Sequence, residues 1–213
     1  MSDNKLTIKK LDYNNTEDRK AAAILHTKLL KDSYLSMLGY DFLVDCYYKL
    51  LVKNEIIACL LCVSNNKYIG FVGFTKFPFS FMTIGFKKNF FEFSTFFIKK
   101  IFTEPKIIIL LIKIINESIS RKFSKKSTQS LSELLSIGVL SEHSNEKDIA
   151  TGLSASQLLI TNVINNCKND GIKDMRVVIK NKNIKSLSFF KTFGGKIVND
   201  NFTDDSVELM LYF

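Results

Sequence analysis

Ala150-Thr151-Gly152-Leu153-Ser154-Ala155-Ser156-Gln157-Leu158-Leu159 is the stretch on which the fold turns. It follows an apolar run, Leu134-Leu135-Ser136-Ile137-Gly138-Val139-Leu140, and opens a segment whose apolar residues Ala155, Leu159, Val163, Ile164 and Cys167 recur at helical spacing. Gly, Ala and Ser dominate its first half, so the chain passes from strand to helix through a turn of little bulk, and a ligand can approach the backbone. The first N–H groups of a helix lack intrahelical partners and sit at the positive end of its dipole, which favours phosphate. Gly152 reaches conformations that other residues resist. A plain strand-to-helix connection with a serine cap accounts for the same residues equally well.

A second segment lies about thirty residues on: Val178-Ile179-Lys180-Asn181-Lys182-Asn183-Ile184-Lys185-Ser186-Leu187-Ser188-Phe189-Phe190-Lys191-Thr192-Phe193-Gly194-Gly195. Together the two resemble the GNAT superfamily of acetyl-CoA-dependent N-acyltransferases. In that family a strand ends in a bulge, and a loop Arg/Gln-x-x-Gly-x-Gly/Ala opens the pyrophosphate-binding helix. Thr151, Ser154 and Ser156 stand at its three motif positions here, with Gly152 after the first. The later family motif, Asn-x-x-Ala-x-x-Phe-Tyr-x-x-x-Gly-Phe, is matched at Asn183, Ser186, Phe189 and Gly194.

The resemblance implies an α/β fold: a mixed, mostly antiparallel sheet of six or seven strands flanked by helices, in one domain over residues 1–213. It also implies a site. The backbone of Thr151, Gly152, Leu153, Ser154, Ala155 and Ser156 would hold the pyrophosphate of acetyl-CoA, the cosubstrate. N–H groups near Val139 and Leu140, left free by a bulge, would polarise the thioester carbonyl, and Asn183 would bond the pantetheine arm. Glu133, placed at the head of the fourth strand, would take the proton from an ammonium acceptor; a solvated carboxylate at a strand entry is the plainer reading. His143 is a second candidate base or a solvent-facing loop residue.

Two departures bear on activity. Phe190 stands where the family commonly has the tyrosine that protonates the leaving thiolate, and phenylalanine cannot. The short link with its arginine is replaced by Ser141-Glu142-His143-Ser144-Asn145-Glu146-Lys147-Asp148-Ile149-Ala150. Affinity for phosphate then rests on backbone amides, the serines and a lysine elsewhere.

The amino-terminal half fits the same plan. Leu6 to Leu11 alternates as a strand, Thr16-Glu17-Asp18 starts a helix, and Phe42, Leu43, Cys46, Tyr47 and Leu50 keep the helical period. The break between, Ser33 to Gly39, lies beside the acceptor pocket in many GNAT proteins. Tyr34, Ser36 and Tyr40 are therefore candidate substrate contacts by resemblance, or parts of a packed helix-helix turn. Residues 56–63, the turn Ser64-Asn65-Asn66-Lys67 and Tyr68 to Phe74 form a hairpin.

Between the hairpin and the fourth strand, at about 78–130, lies a basic helical insertion. From Phe86 to Lys126 ten Lys and Arg face three Glu, a surplus of seven in a chain whose whole surplus is nine. Phe90, Phe93, Phe97 and Ile101 share one helical face, and residues 106–115 are apolar nearly all round, too short to span a bilayer. Burial or self-association, contact with an anionic membrane surface, and a lid over an anionic acceptor all fit. Nucleic acid does not: only Arg19, Arg121 and Arg176 of thirty basic residues are arginine.

Cys59 and Cys62 form a Cys-x-x-Cys inside an apolar strand, where positions three apart point to opposite faces, and no second pair supports a metal site. Met1 to Asn15 lacks the form of a signal peptide, so a cytoplasmic protein is expected. The resemblance thus implies transfer of an acetyl group from acetyl-CoA to a small-molecule amine, for which the basic lid suggests a nucleotide-linked amino sugar, by direct attack. The alternative is a non-catalytic acyl-CoA-binding or membrane-surface module.

Overall fold

The computed structural model describes residues 5–105, 107–109, 111–112, 131–203 and 205–213, with the backbone alone at 201–203. Seven strands form one sheet in the order β1-β2-β3-β4-β5-β7-β6: β1 (Leu6–Lys10), β2 (Ala58–Ser64), β3 (Lys67–Thr75), β4 (Leu131–Val139), β5 (Asp174–Lys180), β6 (Lys196–Thr203) and β7 (Ser206–Tyr212). Every pairing is antiparallel except β4 with β5.

Two apolar layers cover the two faces. On one, α6 (Ala155–Asn169) and α7 (Ile184–Thr192) bring Ala155, Leu159, Val163, Cys167 and Phe190 against Leu60, Val72 and Val177. On the other lie α1 (Thr16–Leu29), α2 (Tyr34–Met37), α3 (Phe42–Leu51), α4 (Phe81–Lys88) and α5 (Phe90–Thr103). Each fully buried aliphatic or aromatic side chain contributes about 1.5–3 kcal/mol of transfer free energy. Cys59 belongs to the second layer and Cys62 to the first, so strand alternation keeps the two thiols apart. Burial pushes the Cys46 and Cys62 thiols up to about 12.

Local chemistry sets the helix ends. Asn15 caps α1 by accepting from Glu17 and Asp18 N–H, and Ser154 forms a capping box with Gln157 on α6. The α3 segment departs from the expected α-helical period: it is a π-helix, and it buries Phe42, Leu43, Val44, Cys46, Tyr47, Tyr48 and Leu51.

In the insertion, Phe93 is buried, Phe97 and Ile101 pack beside it, and Phe42 meets Phe93, Phe96 and Phe97 with ring centroids 5.7 to 5.9 Å apart. Phe90 leaves the expected inward face and is 51 % exposed. Phe91, Ile98 and Phe102 form an outward stripe. Lys106, Leu110 and residues 113–130 lie outside the described residues, and with them half of the second apolar run; Ile107 is buried, whereas Ile108, Ile109 and Ile112 are exposed. Among the described residues, no helix is long and apolar enough to cross a membrane.

Candidate functional site

Strands β4 and β5 run side by side only from Leu131 to Leu134, opposite Asp174 to Val177. A bulge in β4 starts their parting: Leu134 pairs with Phe74 and Ser136 with Gly73, which leaves Leu135 as the extra residue. A bulge bends its strand and sharpens the local twist. Between the diverging ends lies a cleft of about 560 Å³, walled by Leu134 to Ile137 and by Val177 to Lys180. Leu29, Leu30 and Ser33 close it on the α1 side of the sheet, and Asn183, Ser186 and Phe190 close it on the α7 side.

The open edge of β4 carries backbone groups. Leu140 N–H donates to the Ile69 carbonyl at 2.8 Å, which makes this a hydrogen-bonded pair. Antiparallel ladders alternate, so Val139, opposite Gly70, and Ile137, opposite Val72, turn N–H and C=O to the edge that β5 has left. This corrects the expectation for Leu140, whose N–H is already bound, and places the bulge at Leu135. Alternate donors and acceptors on such an edge suit an extended ligand with amides of its own, bound as an added strand.

The loop before α6 is organised by a residue that the sequence reading passed over. Asp148 is buried; its carboxylate accepts from Leu6 N–H at 3.2 Å, from Thr151 N–H at 3.1 Å and from the Thr151 hydroxyl at 2.9 Å. These bonds, that of the Thr151 hydroxyl foremost, hold its carboxyl below the ordinary value. An Asp three residues before a Thr, ahead of a glycine, is the available signal. Gly152 has φ +68° and its N–H donates to the Asp148 carbonyl at 2.7 Å.

The same bonds limit the loop as an anion cradle. The N–H groups of Thr151, Gly152, Leu153, Ser154 and Gln157 all donate within the loop, Leu153 to the Thr151 hydroxyl and Ser154 to the Gln157 side chain. Ala155 and Ser156, in the first turn of α6, keep N–H groups without intrahelical acceptors. None of the six residues lines the cleft.

Glu133 is not at the head of β4 but third in it, paired with Thr75 on one side and Arg176 on the other. Its carboxylate lies 2.9 Å from Arg176 Nη1 and accepts from Phe79 N–H at 3.2 Å, and it is buried. Arg176 Nε donates to Glu208 Oε1 at 2.7 Å, and the guanidinium lies 4.4 Å from the centroid of the Phe79 ring. The carboxylate is already engaged by the guanidinium and by Phe79 N–H, and Glu133 does not line the cleft. The expected base is therefore part of a buried Glu133–Arg176–Glu208 network. Its signal was there to read, as Glu133, Arg176 and Glu208, one Arg and two Glu inside mostly apolar strands.

Phe190 is buried on the cleft wall, and Asn183 lines it while capping α7 by accepting from Ser186 N–H. The three substrate candidates fare differently. Tyr34 and Tyr40 lie outside the residues that line the cleft, and the Ser36 hydroxyl donates to the Leu30 carbonyl at 2.7 Å and accepts from Ser33 at 2.9 Å. Ser33 is the residue of that turn on the cleft wall. Behind it stands His26, 3.4 Å from Ser33 Oγ and 2.8 Å from the Tyr48 hydroxyl; burial pushes its pKa down to about 4, so the ring is neutral at pH 7. In the loop, His143 Nδ1 meets Glu146 Oε1 at 2.6 Å. Lys31, Lys180 and Lys182 bring positive charge to the cleft.

No protein-family model matches the chain, and no curated protein matches its sequence. Solved structures do match in fold. The PaiA N-acetyltransferase of Thermoplasma acidophilum, solved with coenzyme A, is 14 % identical with a TM-score of 0.56, over 98 % of this chain and 99 % of that one. A GNAT-family acetyltransferase of Staphylococcus aureus is 12 % identical with a TM-score of 0.53, over 97 % and 98 %. An acetyltransferase of Thermus thermophilus is 10 % identical with a TM-score of 0.56, over the whole of both chains.

Proposed function

We propose, for a chain whose fold is that of the GNAT acetyltransferases, that the cleft binds acetyl-CoA and that the protein transfers its acetyl group to a primary amine of a small molecule. The observation that carries this is the parting of β4 from β5 after Leu134 and Val177, which opens an apolar slot through the sheet beside an unpaired backbone edge. The fit is chemical as well as spatial. Leu30, Leu134, Ile137, Val177, Ile179 and Phe190 suit a thioester and its linker, and the N–H and C=O groups of Ile137 and Val139 suit the amides of the pantetheine arm. Ala155 and Ser156 N–H at the start of α6 suit the diphosphate, and the Asn183 side-chain N–H₂ remains for the pantetheine arm.

When bound, acetyl-CoA supplies an acyl carbon activated by its bond to sulfur. The chain's part is to hold the thioester at the bulge, exclude water with Leu29, Leu30 and Phe190, and offer backbone N–H groups of β4 to the carbonyl oxygen as negative charge gathers on it. Glu133, tied to Arg176, takes no proton in this scheme. The acceptor approaches from the α1 side, past Ser33. Lys31, Lys180 and Lys182 favour an amine that also carries an anionic group, of which a nucleotide-linked amino sugar is the example to try first. Release of free thiol from acetyl-CoA, followed colorimetrically across a panel of neutral, cationic and anionic amines, tests the reading. Amine-dependent release is expected, fastest with the anionic acceptors. Release that no amine accelerates would overturn it.

A further inference from the structure

We propose that Ser136 is a catalytic residue of this transfer: its hydroxyl donates to the thioester sulfur and delivers the proton that the leaving thiolate needs. The inference rests on the reading of the cleft as the acetyl-CoA site. Ser136 follows the bulge residue Leu135 directly and lines the cleft. It is 9 % exposed, and its Oγ is buried without a hydrogen-bond partner among the described residues. A buried hydroxyl left unpaired is costly and uncommon, and here it stands on the wall of a cavity.

The position opposite is glycine. A Cβ on Gly73 would come within 3.0 Å of Ser136 Oγ, so the absence of a side chain there keeps the space beside the hydroxyl open. Three neighbours that the proton could otherwise come from are committed or have none to give. Ser33 Oγ donates to Ser36 Oγ and accepts from Ser36 N–H, Glu133 is held by Arg176, and Phe190 has no proton to give. On the β4 wall beside the bulge, Ser136 is the residue whose buried hydroxyl is left to give a proton.

The step balances within the two substrates. A C–N bond forms between the amine nitrogen and the acyl carbon, the C–S bond breaks, and its electron pair stays on sulfur. Ser136 passes its hydroxyl proton to that sulfur and regains one from the amine nitrogen, so the surplus proton of the amine ends on the thiol. No oxidant, metal or further base enters.

The test is a binding cycle that needs no acceptor. Wild type and Ser136→Ala are titrated calorimetrically with coenzyme A and with desulfo-coenzyme A, which lacks the sulfur, at pH 9, which raises the thiolate fraction of coenzyme A above that at neutral pH. Loss of one hydrogen bond to sulfur is expected to weaken coenzyme A binding by roughly 5- to 10-fold in the variant, with desulfo-coenzyme A changed less than about twofold. The melting temperature is expected to hold or rise, because the alanine removes an unpaired buried hydroxyl; a residue kept for structure would show a fall. Equal weakening of both ligands, or of neither, overturns the assignment of Ser136. Failure of wild type to bind either ligand instead removes the acetyl-CoA site, and the inference with it.

Discussion

Replacing Arg176 by Met takes away a cation held between two buried carboxylates. Glu133 and Glu208 lie 2.9 and 2.7 Å from it, and their side chains are 6 % and 0 % exposed. At an effective dielectric of about 20 each contact amounts to about 6 kcal/mol of gross attraction, most of which offsets the desolvation of the three charges. The loss has a ceiling, because a stranded carboxylate can bind a proton. From an ordinary pKa of about 4.3 that costs roughly 3.7 kcal/mol at pH 7 and about 1 kcal/mol at pH 5. With one proton taken up between the two carboxylates, the variant is expected to lose about 4 kcal/mol at pH 7 and about 1–2 kcal/mol at pH 5, relative to wild type at the same pH. The sign follows from proton binding: in the variant the folded carboxylate pKa stands above the unfolded value, so stability falls as pH rises from that unfolded value towards the folded one. Urea titration reads it directly. With a slope of about 2–3 kcal/mol per molar, the midpoint should drop by about 1.5 M at pH 7 and about 0.5 M at pH 5. A drop under about 0.4 M at pH 7, or the same drop at both values, would refute the network as a buried and mutually dependent set.

Three further outcomes are expected. His26 has its folded pKa depressed to about 4, against about 6.5 unfolded, so the unfolded chain binds more protons between those values and wild-type stability should fall by about 2 kcal/mol from pH 7 to pH 5; His26→Phe should flatten that part of a urea-midpoint profile. Gly152→Ala should cost about 1 kcal/mol by thermal melting, from the φ of +68° alone, since a Cβ there meets nothing within 4 Å. Asp148→Ala, which releases Leu6 N–H and the Thr151 turn together, should lower both the melting temperature and the calorimetric affinity for acetyl-CoA, whereas Glu142→Ala on the same connection should leave both unchanged.

The fold was legible because its signals are local. The alternation of residues 6–11 and 68–74, the apolar spacing from Ala155 to Cys167, and the small residues around Gly152 each report one element, and their order reports the sheet. The site was legible in outline only. Asn183 and Phe190 do line the cleft, but Glu133 was read from its place along the strand, and its chemistry is set by Arg176 on a neighbouring strand, 43 positions away in a chain that gives no cue to strand pairing. The bulge at Leu135 depends on how β4 meets β3, and no residue type is required for it, so the free edge was expected to include Leu140 as well as Val139, although Leu140 N–H is bound to Ile69. Ser136 was invisible for a related reason: an apolar strand tolerates a serine, and only burial without a partner marks its hydroxyl. The π-helical winding of α3 likewise depends on packing, since its apolar residues fit an α-helical period about as well.

The claim on which the rest depends is that the slot between β4 and β5 is the acetyl-CoA site. Calorimetric titration of the protein with acetyl-CoA, alongside a Ser186→Trp variant whose indole fills the α7 side of the slot, tests it most directly. Binding in the micromolar to sub-millimolar range by wild type, abolished in the variant with its melting temperature unchanged, is the predicted result. Equal binding by both proteins, or none by wild type at millimolar acetyl-CoA, would contradict it.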